Sequence, residues 1–152
     1  MVLSNSTVYG LRAAVLLASK KNRDFTTIRE LSDELDISFY FLTKVLQQLT
    51  KSEILISYKG PNGGVKLARP GNSITFMDII TSIEGDKLFR DCALGLHNCG
   101  LLEPCPLKKD WQQLQANVKE LMESATLDDL ADGNHRMLFP DKAPEQQTAD
   151  AN

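Results

Sequence analysis

The sequence predicts a mainly α fold with a small β-hairpin wing: a winged helix-turn-helix extended by a long C-terminal helix. Three observations point there. Two short capped helical patterns meet at a tight turn between residues 27 and 49. An extended, glycine-punctuated stretch follows at once over 54–68, and apolar residues recur at helical spacing from Leu107 to Ala125. With 152 residues and 42% hydrophobic content, the chain suits one modest domain with a real core, plus a tail.

Val8, Leu11, Val15 and Ala18 repeat at helical spacing, and Leu16 and Leu17 widen the face, so residues 5–20 read as a buried first helix. Thr27 followed by Glu30 has the spacing of a capping box. Ile28, Leu31 and Leu35 then mark one face of a short helix. Asp36-Ile37 breaks that helix, and Ser38 is positioned to cap a longer one whose inward stripe reads as Phe41, Leu42, Val45, Leu46 and Leu49. Ile54–Tyr58 and Val65–Ala68 read as strands joined by Gly60-Pro61-Asn62-Gly63-Gly64, with Lys59 and Lys66 bracketing the turn. A hairpin directly after the second helix of a helix-turn-helix is the wing of a winged helix.

Thr75 can cap a helix over Phe76–Glu84, with Ile79, Ile80 and Ile83 inward and Gly85 at its end. From Asp86 to Pro106 the glycines and prolines among the cysteines read as one loop, long enough to suggest function. Leu107, Trp111, Leu114, Val118, Leu121, Met122 and Ala125 then step along one amphipathic helix, suited to packing against a second copy, and Thr126 begins a last short helix. The expected organisation is a DNA-binding winged helix over 1–84 and a cysteine loop over 85–106. A dimerisation helix with a short terminal helix over 107–135 and a disordered tail over 136–152 complete it.

The formal charge of −3 conceals a division. Residues 1–69 carry 10 Lys+Arg against 6 Asp+Glu, and residues 70–152 carry 7 against 14. The basic half coincides with the helix-turn-helix, so a mildly acidic chain can still offer a positive face to DNA. In the second helix of the pair, Ser38, Phe39, Tyr40, Thr43 and Lys44 are not needed for the inward stripe and are the expected readers of base edges and phosphates. At the wing tip, Lys59, Asn62 and Gly63 can set ammonium and amide donors against the backbone or minor groove. An ordinary solvated face and a plain tight hairpin are the competing readings.

The three cysteines, Cys92, Cys99 and Cys105, follow the pattern C-x6-C-x5-C. Structural zinc sites usually contain a short C-x2-4-C knuckle, which is missing here, so the wide spacing favours a larger object surrounded by several loop segments. An iron-sulfur cluster (2Fe-2S or 4Fe-4S) fits that need. Zinc with His97, a bare thiol switch and inert cysteines are the alternatives, and His97 reads more simply as an incidental loop histidine. The chain has only two histidines, His97 and His135, and no phosphate loop, zincin helix or nucleophile elbow, so an enzyme is not expected. The N-terminal apolar stretch is broken by Arg12 and lacks a cleavage pattern. No run reaches the roughly 18 apolar residues of a membrane span, so a cytoplasmic protein without membrane association is expected.

Val8-Tyr9-Gly10-Leu11-Arg12-Ala13, Ile37-Ser38-Phe39-Tyr40-Phe41-Leu42, the wing Gly60-Pro61-Asn62-Gly63-Gly64 and the three-cysteine loop before a long helix resemble the IscR/NsrR superfamily of bacterial regulators over residues 1–135. The resemblance implies a homodimeric winged-helix transcription factor that binds double-stranded promoter DNA. It also implies that Cys92, Cys99 and Cys105 hold a cluster sensing iron-sulfur status, redox state or nitric oxide. Two positions depart from the pattern. Some relatives have a histidine where this chain has Lys108, and others an acidic residue where it has Val8. The fourth ligand is therefore open among His97, Asp91, Glu103 and a residue of the partner subunit. The alternative functions are a winged-helix regulator using zinc or reversible thiol oxidation, and a winged-helix module that binds protein.

Overall fold

The computed structural model describes residues 3–21, 24–96 and 105–132. Cys99, His97, Glu103, His135 and the tail over 136–152 lie outside these described residues. The first helix, α1 (Asn5–Ser19), is capped by Ser4, whose hydroxyl accepts from the Thr7 N–H at 3.2 Å. Its second half is buried all round, from Ala13 to Ala18 without interruption. Three alanines in that run let neighbouring helices approach closely on several sides at interior packing density. Gly10 extends the effect: a Cβ there would lie 2.6 Å from Ile83 Cδ1 and 3.2 Å from Val45 Cγ1.

The helix-turn-helix forms as expected from α2 (Ile28–Leu35) and α3 (Phe39–Lys51). Thr27 Oγ1 accepts from the Glu30 N–H at 3.1 Å, and Asp36 ends α2 in the left-handed region at φ 53°. From α1, the Arg12 guanidinium donates to the Leu35 carbonyl at 3.3 Å, a cation at the negative end of α2. Two details of α3 differ from expectation. Ser38 occupies the cap position, but its side chain makes no capping bond. Phe41 is not inward: Leu42, Val45, Leu46 and Leu49 fill the stripe completely, and Phe41, one residue ahead of it, faces solvent.

Strands β1 (Leu55–Tyr58) and β2 (Gly64–Leu67) pair antiparallel, with Leu55 opposite Leu67 and Tyr58 opposite Gly64. A short third segment joins them, because Thr26 and Val65 exchange both backbone bonds at 2.9 and 3.0 Å. The residue before the α2 cap is thereby fastened to the wing.

A 3-10 turn (Gly71–Ser73) leads to α4 (Phe76–Glu84), where Thr75 and Asp78 form a reciprocal capping box and Gly85 ends the helix. The stretch read as one loop from Asp86 begins instead with a single helical turn, α5 (Lys87–Arg90). The long helix is α6 (Lys108–Ser124), and α7 (Leu127–Ala131) follows behind a second capping box, Thr126 with Asp129. The start of α7 is stitched to the start of α4 by Leu127 N–H to Ile74 O at 3.0 Å and Phe76 N–H to Ala125 O at 2.9 Å. Leu127 is fully buried beside α1.

The apolar seam expected along α6 divides in two. Trp111, Val118, Met122 and Ala125 are half-buried, whereas Leu107, Leu114 and Leu121 are each more than half exposed. The helix leans on α4 and α5 with one side only, so the leucines at heptad spacing remain outside the fold of a single chain.

Two helix ends carry carboxylates held below their ordinary range. Burial raises Glu84, but hydrogen bonds from the Ser4 and Thr7 hydroxyls and the Ser4 N–H outweigh it, the last at 2.6 Å. The Thr126 N–H and hydroxyl do the same for Asp129. A carboxylate lowered on folding contributes stability above its unfolded value and loses it as pH falls through the folded one. Stability is therefore expected to decline below about pH 4.5. In urea titrations at pH 3 to 6, Glu84→Gln should flatten that decline; an unchanged slope would remove Glu84 from the account.

Candidate nucleic-acid interface and cysteine cavity

The second helix of the pair turns an acid-free sequence outward, since α3 contains Lys44 and Lys51 but no Asp or Glu. Between α3, the start of α2 and the wing runs an open groove. Of the expected DNA-binding residues it brings together Phe39, Thr43, Lys59 and Gly63. Ser38, Tyr40, Lys44 and Asn62 lie outside that lining and are exposed. Thr43 Oγ1 donates to the Phe39 carbonyl at 2.7 Å, which leaves its oxygen able to accept. Lys44 Nζ stands 4.4 Å from the centre of the Tyr40 ring.

Arg29, Gln47 and Lys51 also line the groove, and sequence reading did not single them out. Arg29 had a signal. It is a cation in the first turn of α2, where the helix dipole disfavours positive charge, and such a local conflict marks a residue kept for another purpose. Its guanidinium lies 4.7 Å over the Phe39 ring, a cation-π contact linking α2 to the first residue of α3.

The wing tip is shaped by its own backbone. The Gly63 N–H donates to the Gly60 carbonyl at 2.9 Å, and a Cβ on Gly63 would collide with the Tyr58 carbonyl oxygen. Glycine at 63 is thus required by the hairpin itself. Tyr58 packs against Phe25 with the rings tilted by 37° and their centres 5.6 Å apart, and Lys66 covers the Phe25 ring at 4.9 Å.

Apart from that groove, Cys92 and Cys105 are half-buried and line one cavity of about 100 Å³ between the loop after α5 and the foot of α6. Leu94, Leu107 and Trp111 give it an apolar wall, and Arg90 and Lys108 stand at its margin. The Leu94 N–H points at Cys92 Sγ at 3.4 Å. Behind the cavity, the Trp111 indole N–H donates to the Asp91 carbonyl at 2.9 Å. The buried Gln115 amide donates to the carbonyls of Asp91 and Leu88, both at 2.9 Å. The residue before Cys92 is therefore clamped to α6. Among the described residues no three His, Cys, Asp or Glu side chains converge, and the third cysteine is not one of those residues. Two thiols on one cavity, with an amide directed at a sulfur, are a donor set that fits a thiolate-bound group.

The sequence model of the Rrf2 family, described as an iron-dependent transcriptional regulator, matches residues 3–133. The HTH-type transcriptional regulator NsrR of Oceanobacillus iheyensis is 30% identical over 139 residues, which is 91% of this chain and 95% of that relative. Among solved structures, CymR, the global cysteine regulator of B. subtilis, is similar with a TM-score of 0.72 and 27% identity, covering 86% of this chain and 95% of that one. IscR of T. potens shares the fold with a TM-score of 0.70 at 24% identity, covering 86% and 85%.

Proposed function

The chain belongs to the Rrf2 family of transcriptional regulators, and from that premise we propose that it is a cytoplasmic homodimer that binds promoter DNA and senses redox state, nitric oxide or iron-sulfur status through a cluster held by Cys92, Cys99 and Cys105. Its relatives are transcriptional regulators, not enzymes. The observation that carries the reading is the cavity shared by Cys92 and Cys105 at the foot of α6. A bound cluster supplies a redox-active, nitric-oxide-reactive centre whose charge and integrity follow the cell's state. The Leu94 N–H points at the Cys92 sulfur, Trp111 and Leu107 limit water, and the Trp111–Gln115 clamp makes the position of Cys92 a constraint on α6. Since α6 ends in the backbone stitch to α4, a change at the cysteines has a continuous route to the DNA-binding core.

Anaerobic purification followed by visible absorption and iron and sulfide assay tests this. Coloured protein with both iron and sulfide is expected, with Cys92→Ala losing the colour and the signal-dependent change in DNA affinity. Colourless protein that resists reconstitution, with Cys92→Ala still regulated, overturns it. A second reading, reversible oxidation of the thiols, is supported by two cysteines on a cavity of about 100 Å³ and by the likeness to a cysteine regulator. In that case metal analysis is blank, and peroxide alters DNA affinity with no visible band.

Dimer formation is ascribed to Leu107 at the cap of α6 and Leu114 and Leu121 within it, exposed at heptad spacing. Leu114→Glu would place a carboxylate in the middle of that stripe and is expected to give monomers by sedimentation at micromolar concentration. Its thermal midpoint at low concentration should stay near that of dissociated wild type. A variant that remains dimeric would move the interface elsewhere.

A further inference from the structure

Three aromatic residues in succession open α3, and the two that follow Phe39 are more exposed than any folding role requires: Tyr40 at 65% and Phe41 at 59%. Large apolar groups clustered on the surface mark a contact made with something else. The surroundings specify what that partner is. Lys44 lies over the Tyr40 ring, Arg29 over the Phe39 ring, and α3 has no acidic residue, so the rings sit within a positive, phosphate-seeking surface. The Phe41 ring meets Tyr40 edge to face, with centres 6.2 Å apart and planes at 71°. The pair therefore presents one stiff apolar surface that loses little entropy on binding.

Phenylalanine has no hydrogen-bonding group. In a major groove it can recognise a base edge only through apolar contact, and of the four bases only thymine offers a methyl group there, on its C5. We propose that Tyr40 and Phe41 are specificity-determining residues that take up thymine methyl groups in the operator. The inference rests on the reading of α3 as the helix that enters the major groove. Ser38, Thr43 and Lys44 would then supply polar and phosphate contacts around a methyl-reading centre, with Lys44 held in place over Tyr40.

The full-length protein is used to select binding sites from a randomised duplex library, and the selected duplex becomes the probe. Each thymine in it is replaced singly by uracil, which removes one methyl group and preserves the hydrogen-bonding edge. At one or two positions the wild type is expected to bind about fourfold more weakly, the value of one buried methyl. Phe41→Ala should be insensitive to uracil at one such position, and Tyr40→Phe should retain the sensitivity because the ring remains. Phe41→Ala should keep the wild-type unfolding midpoint, since its side chain is outside the core. Specific binding that ignores uracil everywhere, or a penalty equally large in wild type and Phe41→Ala, overturns the inference while leaving DNA recognition by α3 intact. A library yielding no enriched sequence overturns the DNA-binding reading, and this inference with it.

Discussion

Gly64→Ala is expected to disrupt the wing and remove about 2–6 kcal/mol of stability, a large part of what a small domain possesses. Two effects add. At φ 147° the backbone of Gly64 lies where a side chain is strained, worth about 1–3 kcal/mol. A Cβ would also collide with the carbonyl oxygen of Thr26 and come within 2.9 Å of Thr27 N, and forced overpacking adds about 1–3 kcal/mol. Both neighbours are backbone, so no rotamer change relieves the contact. The strands can respond only by separating, which breaks the two Thr26–Val65 bonds and disturbs Thr27, the cap of α2. Fold and DNA affinity should therefore fall together.

Gly85→Ala provides the comparison. That glycine also has a left-handed φ, 77°, but nothing stands within 4 Å of the position of its Cβ, so only strain of about 1–3 kcal/mol applies. Urea denaturation of the two variants separates crowding from strain. If Gly64→Ala loses no more than Gly85→Ala, the close approach of wing and Thr26 is not what the glycine serves.

The contrast between these glycines also indicates which features the sequence makes legible. Caps and turns are local: Thr27 with Glu30, and Thr126 before its acidic pair, specify helix starts within four residues, and Gly60–Gly64 specifies a hairpin. Phe41 misleads because periodicity ranks residues by apolarity, and an apolar residue that faces outward has the same apolarity as one turned inward for packing. The seam of α6 misleads for a related reason. Leu114 and Val118 both fit an amphipathic helix, and only the docking of α4 and α5 decides that one is covered and the other exposed. Of the candidate site, the cysteines and most of the basic residues are visible as residue types. The cavity and its support are not, because Gln115 finds its carbonyls 24 and 27 residues away, and no spacing rule reaches that far.

That long-range support makes Gln115 the position where a polar substitution is expected to do most damage at the cysteine end. Gln115→Leu keeps the approximate volume but removes both donated bonds. The Asp91 carbonyl still accepts from Trp111, while that of Leu88 loses its side-chain donor, so about 1–3 kcal/mol is lost. Gln115→Glu is worse at neutral pH, because a buried carboxylate would face two carbonyl oxygens. Its pKa is then raised in the folded state, so its stability is greatest in acid and falls as pH rises through the folded value. The glutamate variant should approach the leucine variant near pH 5 and fall below it at pH 8. In both, the loop carrying Cys92 loosens from α6. Alkylation of Cys92 and Cys105 should accelerate by about tenfold or more, as a weakening of 1.4 kcal/mol in the clamp implies. The single tryptophan, Trp111, lines the same cavity, so its emission reports the change directly. Unchanged emission and alkylation in both variants would mean that the clamp does not hold the cysteines, and the route from Cys92 to α6 would have to run elsewhere.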